Sequence, residues 1–263
     1  MAAIPDRRVW VGLVPFQVTD LHQAADRILR AAAGREGLPI RLSNAYCVAL
    51  ASTDDRYAQL LRESGLNFPD GLPVVWAMRV SGKSIDRTNR VRGPSLFRLT
   101  IDKGQAANVR HYFLGTNSNT LDLLCQSLSE RYPNLSIAGR YAPPYSDLDE
   151  EFIAQCVEQI GNSDPDVIWV ALGTPKQDFL AAELAARLGR PCVGVGAAFD
   201  FEAGITKEAP ELMQRTGTEW IFRFATEPKR LWRRYIFGNV RFLLSVVASN
   251  HRRDVRAEES DQI

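Results

Sequence analysis

Residues 167–197 read VIWVALGTPKQDFLAAELAARLGRPCVGVGA, which is a strand, a helix and a second strand in direct succession. The apolar run 167–172 is typical of a strand buried on both faces. The helical pattern begins near Lys176 and ends near Gly189, and a strand at 193–197 follows. Because strands joined by a helix pair in parallel through right-handed crossovers, this stretch predicts an α/β fold with a layered parallel sheet.

The same alternation extends through the first two hundred residues. Further strands are predicted at 10–14, 40–42, 66–68, 109–114 and 135–138. Further helices are predicted at 21–33, 53–64, 119–131 and 147–160. After about Gly204 the strand pattern stops, and aromatic and basic residues with helical spacing replace it. We therefore predict a Rossmann-like α/β core at 1–208 and a helical C-terminal appendage at 209–263.

The composition is typical of a globular protein, with 45% hydrophobic and 24% charged residues in a chain of 263. The formal net charge is +1, but the charge is unevenly distributed. The segment 219–256 carries nine basic and three acidic residues, which makes it +6 and leaves −5 for the rest of the chain. An acidic body argues against nucleic acid as the partner.

Several function classes are excluded because their motifs are missing. The four cysteines form no Cys-Xaa-Xaa-Cys pair, which predicts reduced, buried thiols rather than a zinc site or a disulfide framework. No nucleophile elbow accompanies the three histidines, and neither the dinucleotide nor the P-loop glycine pattern occurs. The sequence has neither an apolar run long enough to span a membrane nor a signal-peptide core, so we expect a cytoplasmic protein.

Loops rich in small or polar residues follow several of the predicted strands, where ligands bind in open parallel sheets. These loops lie at 43–45, 69–71, 114–116, 172–177 and 194–198. Free backbone N–H groups at helix starts favour phosphate, so a nucleotide ligand suits these loops.

Two acids in these loops each allow two interpretations. Asp70 lies in a Pro-Asp-Gly turn, but it also closes a short apolar strand in a chain with few other candidate bases. Asp200 lies between two aromatic residues, which favours a raised pKa, and a buried structural cap is the alternative.

Two Asp-Xaa-Asp pairs match the pattern by which some sugar transferases hold a divalent cation. Asp147 and Asp149 lie where a helix is predicted to begin, so they suit an N-cap and a first-turn acid. Asp164 and Asp166 precede a strand, at the amino edge of the sheet. We expect neither pair to bind a metal.

The basic C-terminal segment is also rich in aromatic residues. On a helical wheel, five of its side chains lie close together: Arg230, Arg233, Arg234, Phe237 and Arg241. A basic amphipathic helix suits an anionic membrane surface, and a surface helix packed on the domain is the alternative. Such a surface also suits contacts between subunits, so a homo-oligomer remains open.

Nine motifs occur in a recognisable order. They are Asn44, 68–71, 90–93, 113–115, 172–178, 194–201, 209–210, 219–223 and 227–235. With these motifs the chain resembles the WecG/TagA/CpsF family of bacterial glycosyltransferases over roughly 10–242. The block around Pro175-Lys176-Gln177 and the Pro-Lys-Arg-Leu-Trp-Arg-Arg-Tyr ending are the most specific parts of the match.

The resemblance implies an enzyme that transfers a sugar from a UDP-sugar to a polyprenyl-diphosphate-linked saccharide at a membrane surface, without a metal or cofactor. It implies that Asp70 is the catalytic base. Substrate-binding roles are implied for Asn44, Arg92, Gly93, Gly115, Gly173, Lys176, Gln177 and Asp200. A lipid-diphosphate site is implied for Arg223, Arg230, Arg233 and Arg234.

Two positions depart from the family pattern. Ser95 stands where an acid is common, and Asp178 stands where glutamate is usual. The first change removes a carboxylate expected near the donor sugar, which brings a neutral hexose such as glucose into consideration beside N-acetylmannosamine. The alternative function is a non-catalytic nucleotide-binding subunit docked at the membrane.

Overall fold

A parallel sheet lies at the centre of the computed structural model, which describes residues 7–81, 88–226 and 238–248. The strands are β1 (Arg8–Val11), β2 (Val14–Gln17), β3 (Pro39–Ser43), β4 (Leu66–Pro69), β5 (Arg110–Gly115), β6 (Ser136–Tyr141), β7 (Val167–Ala171) and β8 (Cys192–Gly194). Six of them form the sheet in the order β4-β3-β8-β7-β5-β6, with every neighbouring pair parallel. The predicted α/β fold with a Rossmann-like parallel sheet is confirmed.

Helices cover both faces of this sheet. They are α1 (Leu21–Ala33), α2 (Ala45–Ala51), α3 (Asp55–Glu63), α4 (Leu72–Ser81), α5 (Gly93–Gly104), α6 (Ser118–Arg131), α7 (Glu150–Gly161), α8 (Lys176–Leu188), α9 (Ala198–Glu202), α10 (Glu211–Thr216), α11 (Glu219–Thr226) and α12 (238–248). One core cluster holds α1, α5 and α6, and a second holds α7 and α8 on the other face. None of the described helices is both long and apolar enough to cross a membrane.

The prediction of a single strand at 10–14 is wrong. The chain turns at Gly12 and Leu13, so β1 and β2 pair as an antiparallel hairpin outside the main sheet. This hairpin packs with α2, α3 and α4 in a third core cluster, which also contains Phe242 of α12. The domain boundary at 208 stays a prediction.

Buried aromatic and polar side chains fix the middle of the sheet. Trp169 of β7 is fully buried, and its ring centroid lies 4.9 Å from that of Phe97 of α5 in an edge-to-face contact. Its indole Nε1 donates to Nδ1 of His111 at 3.1 Å. Burial lowers the pKa of His111 to about 3, so this histidine is a neutral core residue. All four cysteines are free and buried, as predicted.

The connections leave the sheet in different directions. The loop after β5 leads to α6 on one face, and the loop after β7 leads to α8 on the other. Adjacent strands whose connections diverge in this way open a crevice at their carboxyl ends. The polar loops singled out in the sequence therefore meet at one edge of the sheet.

Candidate functional site

Asn44 and Asp70 lie side by side at the carboxyl edge of the sheet. In the β3–β4 register Ser43 pairs with Pro69, so each of the two residues comes directly after a paired position. The backbone N–H of Asp70 donates to the carbonyl of Ser43 at 2.9 Å. Asn44 caps α2, with its Oδ1 accepting from the N–H of Tyr46 at 3.0 Å.

The segment 90–92 is tied to the same strand end. The N–H of Val91 donates to the carbonyl of Pro69 at 2.8 Å, which places Arg90 and Arg92 beside the Asp70 carboxylate. Gly93 begins α5, where a Cβ would lie 3.2 Å from Cδ1 of Leu42. Glycine thus lets α5 start close against the sheet.

Asp70 is the acid whose environment best suits general base chemistry. Burial raises the pKa of Asp70 to about 6, and the nearby Glu219 carboxylate also raises it. The positive charges of Arg90, Arg92 and Arg223 oppose this rise. A carboxylate with a pKa of about 6 is ionised at neutral pH and holds a proton more readily than an exposed aspartate, which suits proton abstraction.

Arg92 is buried and held by carboxylates. Its Nε and Nη2 donate to the two carboxylate oxygens of Glu219, both at 3.0 Å. Its Nη1 lies 2.7 Å from Oε2 of Glu208. Arg92 thus lies at the Asp70 edge with its guanidinium already paired to two acids, and its substrate-binding role stays a prediction.

Phe201 of α9 joins two of the predicted residues. The guanidinium carbons of Arg92 and Arg223 lie 5.9 Å and 5.7 Å from the centroid of its ring. Asp200, the preceding residue, is half-buried in α9, and its backbone carbonyl accepts from Ile205 and Thr206. The structure therefore brings Asp70, Arg92 and Arg223 together, and Asp200 directly precedes the Phe201 that both arginines contact.

Gln177 ties together the loops that follow β7 and β8. Its Oε1 accepts from the N–H of Gly173 at 3.1 Å. A Cβ on Gly194 would lie 3.1 Å from its Nε2. A Cβ on Gly173, whose φ is +78°, would meet nothing within 4 Å, so this backbone faces open space at the carboxyl edge. That arrangement leaves room for a ligand against the Gly173 backbone.

Gly115 ends β5 in the same region. With a φ of +130°, a Cβ there would lie 2.3 Å from the carbonyl oxygen of Ala171. The close approach of β5 and β7 therefore requires glycine at this position, whether or not a ligand lies nearby.

Lys176 points to a different neighbourhood. Its Nζ donates to the carbonyl of Ser146 and lies 4.1 Å from the centroid of the Phe152 ring. These contacts direct the ammonium toward the loop before α7. The structure does not bring Lys176 together with Asp70.

A buried polar network beneath the β7–α8 loop was missed in the sequence. The Tyr57 hydroxyl donates to Oδ2 of Asp178 at 2.7 Å. Burial raises the pKa of Asp178, and the Tyr57 hydroxyl and the Arg41 charge oppose the rise. Arg41, fully buried in β3, donates to the backbone and hydroxyl oxygens of Ser64. The only sequence signal is an arginine in the middle of an apolar strand, which indicates a buried partner but not which one.

The other sequence predictions fall on capping residues and on the C-terminal segment. The helix predicted from 147 begins at Glu150, so Asp149 is its cap rather than a first-turn acid, accepting from Phe152 N at 2.8 Å. Asp164 precedes β7 and pairs with Arg190 at 2.6 Å. Three arginines of the predicted lipid-diphosphate site lie outside the described residues: Arg230, Arg233 and Arg234.

A separate cavity of about 380 Å³ opens along the β4 edge toward the opposite end of the sheet. Leu38, Gly65 and Leu66, at the amino ends of β3 and β4, line it together with Arg27 of α1. None of the predicted site residues that the structure describes lines this cavity.

Comparison with known proteins shows that this fold and its polar carboxyl edge belong to a sugar-transferring enzyme. The model of the glycosyl transferase WecG/TagA/CpsF family matches residues 9–256. The chain therefore belongs to this family, and it is a glycosyltransferase. The resemblance inferred from the motifs is confirmed.

Three similar proteins carry the name N-acetylglucosaminyldiphosphoundecaprenol N-acetyl-beta-D-mannosaminyltransferase. The protein from Bacillus spizizenii is 30% identical over 187 residues, which cover 71% of this chain and 70% of the relative. The Bacillus subtilis protein is 29% identical over 191 residues, 72% of each chain. The Staphylococcus aureus protein is 27% identical over 223 residues, 84% of this chain and 85% of the relative.

Proposed function

We propose that the protein moves a hexosyl group from a UDP-sugar to a polyprenyl-diphosphate-linked saccharide, during assembly of a cell-surface polymer. The observation that carries the proposal is Asp70, a carboxylate of raised pKa at the carboxyl edge, surrounded by Arg90, Arg92 and Arg223. The names of the relatives support the acceptor class, because those enzymes act on N-acetylglucosaminyldiphosphoundecaprenol.

In the proposed mechanism Asp70 acts as the base of a single inverting displacement. Its carboxylate takes the proton from the acceptor hydroxyl, whose oxygen bonds to the anomeric carbon. The bond from that carbon to the UDP oxygen breaks at the same time, and UDP leaves from the opposite face. Helix N-termini and arginine side chains stabilise the charge on the leaving diphosphate.

Two donor sugars suit the proposed reaction. The relatives' names favour an N-acetylmannosaminyl group. Ser95, half-buried in the first turn of α5, provides no carboxylate for such a donor and keeps UDP-glucose in consideration.

A panel of UDP-sugars tests the function directly. UDP release is measured with UDP-N-acetylmannosamine, UDP-glucose and UDP-N-acetylglucosamine, each with and without a short-chain prenyl-diphosphate N-acetylglucosamine acceptor. We expect acceptor-dependent release from one of the first two donors. Binding of UDP without release from any donor would instead support a non-catalytic nucleotide-binding subunit.

Helix α12 supports docking at the inner face of the cell membrane. Phe242 is buried and Val246 packs against the same core, so one side of the helix faces the protein. The other side carries exposed apolar residues at helical spacing: Val240, Leu243, Leu244 and Val247. We infer that this outer side lies on an anionic bilayer, with Arg241 near the headgroups.

Replacing Leu243 and Leu244 with glutamate is expected to weaken binding to anionic vesicles by tenfold or more, because each side chain gives up roughly 1.5–3 kcal/mol of apolar burial. Leu243 and Leu244 are 62% and 65% exposed, so the fold should be retained. Co-sedimentation with vesicles measures the effect.

The matched control is Leu212→Glu on α10, which also changes an exposed leucine. It should leave vesicle binding unchanged. Equal binding by the α12 double variant would contradict the membrane role. A loss of self-association in that variant, without loss of vesicle binding, would assign the outer side of α12 to a subunit contact.

A further inference from the structure

Two charged side chains of helix α11 contact the rest of the protein. None of its residues is buried. Glu219 and Arg223, four residues apart on one side of the helix, face the core, where they contact Arg92 and Phe201 respectively. Trp220 and Ile221 are each 44% exposed. Phe222 and Phe224 are half-buried, so apolar packing accompanies the charged contacts.

Glu219 makes the strongest described attachment of this helix. Its carboxylate accepts two hydrogen bonds from Arg92, both at 3.0 Å, in a bidentate arrangement. The same carboxylate lies 3.8 Å from Nη1 of Arg90. Both Glu219 and Arg92 are largely shielded from water, with side chains 15% and 6% exposed, so this pair is screened far less than a surface pair.

The donor of this attachment, Arg92, is itself anchored in the core. Arg92 also pairs with Glu208, and Glu208 contacts Arg98 of α5. Arg98 reaches Glu202 of α9, whose fully buried carboxylate also pairs with Arg131 of α6 at 2.8 Å. Acids and arginines alternate along this chain of contacts. It holds Arg92 through contacts that do not involve α11.

We propose that Glu219 is a positioning residue, which docks α11 on Arg92 and thereby holds Arg223 against Phe201 at the Asp70 edge. The contacts of Glu219 and Arg223 are sufficient to support the docking of α11. Its effect on catalysis rests on the proposed function, because only then does Arg223 serve a substrate beside Asp70. Arg223 lies one helical turn beyond Glu219, so the position of the first residue sets that of the second.

The charges around Asp70 give this role a distinct signature. Arg90, Arg92, Arg223 and Glu219 are the charged groups that act on its carboxyl. Glu219 raises the pKa of Asp70, and its effect exceeds the opposing effect of Arg223. Removal of the Glu219 charge lowers the pKa of Asp70. Displacement of Arg223 would raise that pKa, but by less, so the pKa falls in both cases. The acidic limb of the transfer rate then shifts to lower pH.

Hydrogen exchange on the substrate-free protein tests the docking. In Glu219→Gln we expect protection of the peptide 219–226 to fall by about tenfold or more, as for the loss of a hydrogen bond to a charged group. The matched control is Glu211→Gln on α10. Glu211 pairs with Arg215, and both side chains are 75% exposed. This control should change the protection of the peptide 219–226 by no more than about twofold.

Transfer assays complete the test. Glu219→Gln should lower kcat/KM and shift the acidic limb to lower pH, whereas Glu211→Gln should do neither. Unchanged protection of 219–226 in Glu219→Gln, or no protection of this peptide in the unaltered protein, would overturn the proposal. An unaltered protein that docks α11 but transfers no sugar would instead refute only the proposed function.

Arg223→Gln separates the docking of α11 from the part that Arg223 plays in sugar transfer. It removes the charge at Phe201 but leaves the Glu219–Arg92 contact, so protection of 219–226 should fall less than in Glu219→Gln, while transfer still falls. Loss of protection as large as in Glu219→Gln would show that Arg223, and not Glu219, docks the helix.

Discussion

Asp70→Asn lowers the rate of sugar transfer by about 10²–10⁴-fold, the usual contribution of a general base, while UDP-sugar binding is retained. The substitution keeps the shape of the side chain and removes the carboxylate that accepts the acceptor proton. The backbone bond from Asp70 to Ser43 does not involve the side chain, so the strand end stays in place. UDP release and nucleotide binding are measured on the same preparation.

The matched control is Asp147→Asn, which changes an exposed aspartate outside the site and should leave transfer unchanged. The pH profile provides a second readout. Because the pKa of Asp70 is about 6 and only its ionised form is a base, kcat/KM should rise as the pH increases through about 6 and level off above it. An Asp70→Asn variant with normal turnover would remove Asp70 from this role.

Asp178→Ala is expected to lower the free energy of unfolding by about 1–3 kcal/mol, because it leaves a buried hydrogen-bond donor without its acceptor. The substitution leaves the Tyr57 hydroxyl without its acceptor and the buried Arg41 without a nearby negative charge. Denaturant unfolding at neutral pH measures the change. The helix that carries Gln177 loses its buried anchor, so transfer should fall as well.

Two further variants separate the parts of this effect. Tyr57→Phe removes one hydrogen bond and should cost about 1 kcal/mol. Asp55→Ala, at an exposed first-turn position of α3, should cost no more than about 1 kcal/mol. A loss in Asp178→Ala no larger than in Asp55→Ala would show that the buried network does not stabilise the β7–α8 loop.

Much of the fold follows from local pattern. The helix predicted at 21–33 is α1 as observed, because its apolar spacing and its Asp20 cap are both short-range signals. The error at 10–14 has a local cause too, since a two-residue turn at Gly12 and Leu13 divides an apolar stretch that otherwise suits one strand.

The arrangement of the site depends on contacts between residues far apart in the sequence, and local sequence patterns do not predict such contacts. Arg92 and Glu219 are 127 residues apart, so nothing near Arg92 indicates that its guanidinium is already paired. Lys176 and Gln177 are adjacent in the same motif, but successive helical residues point about 100° apart. One consequently reaches Ser146 and the other reaches Gly173.

The place of Phe242 in the core bears on how the chain folds during synthesis. This side chain is buried in the cluster that contains Val9 and Val11, more than two hundred residues earlier. The hairpin is translated more than two hundred residues before this part of its covering. Contacts of such sequence separation form late and slowly. A nascent chain that ends before 242 therefore exposes apolar surface that the finished protein covers.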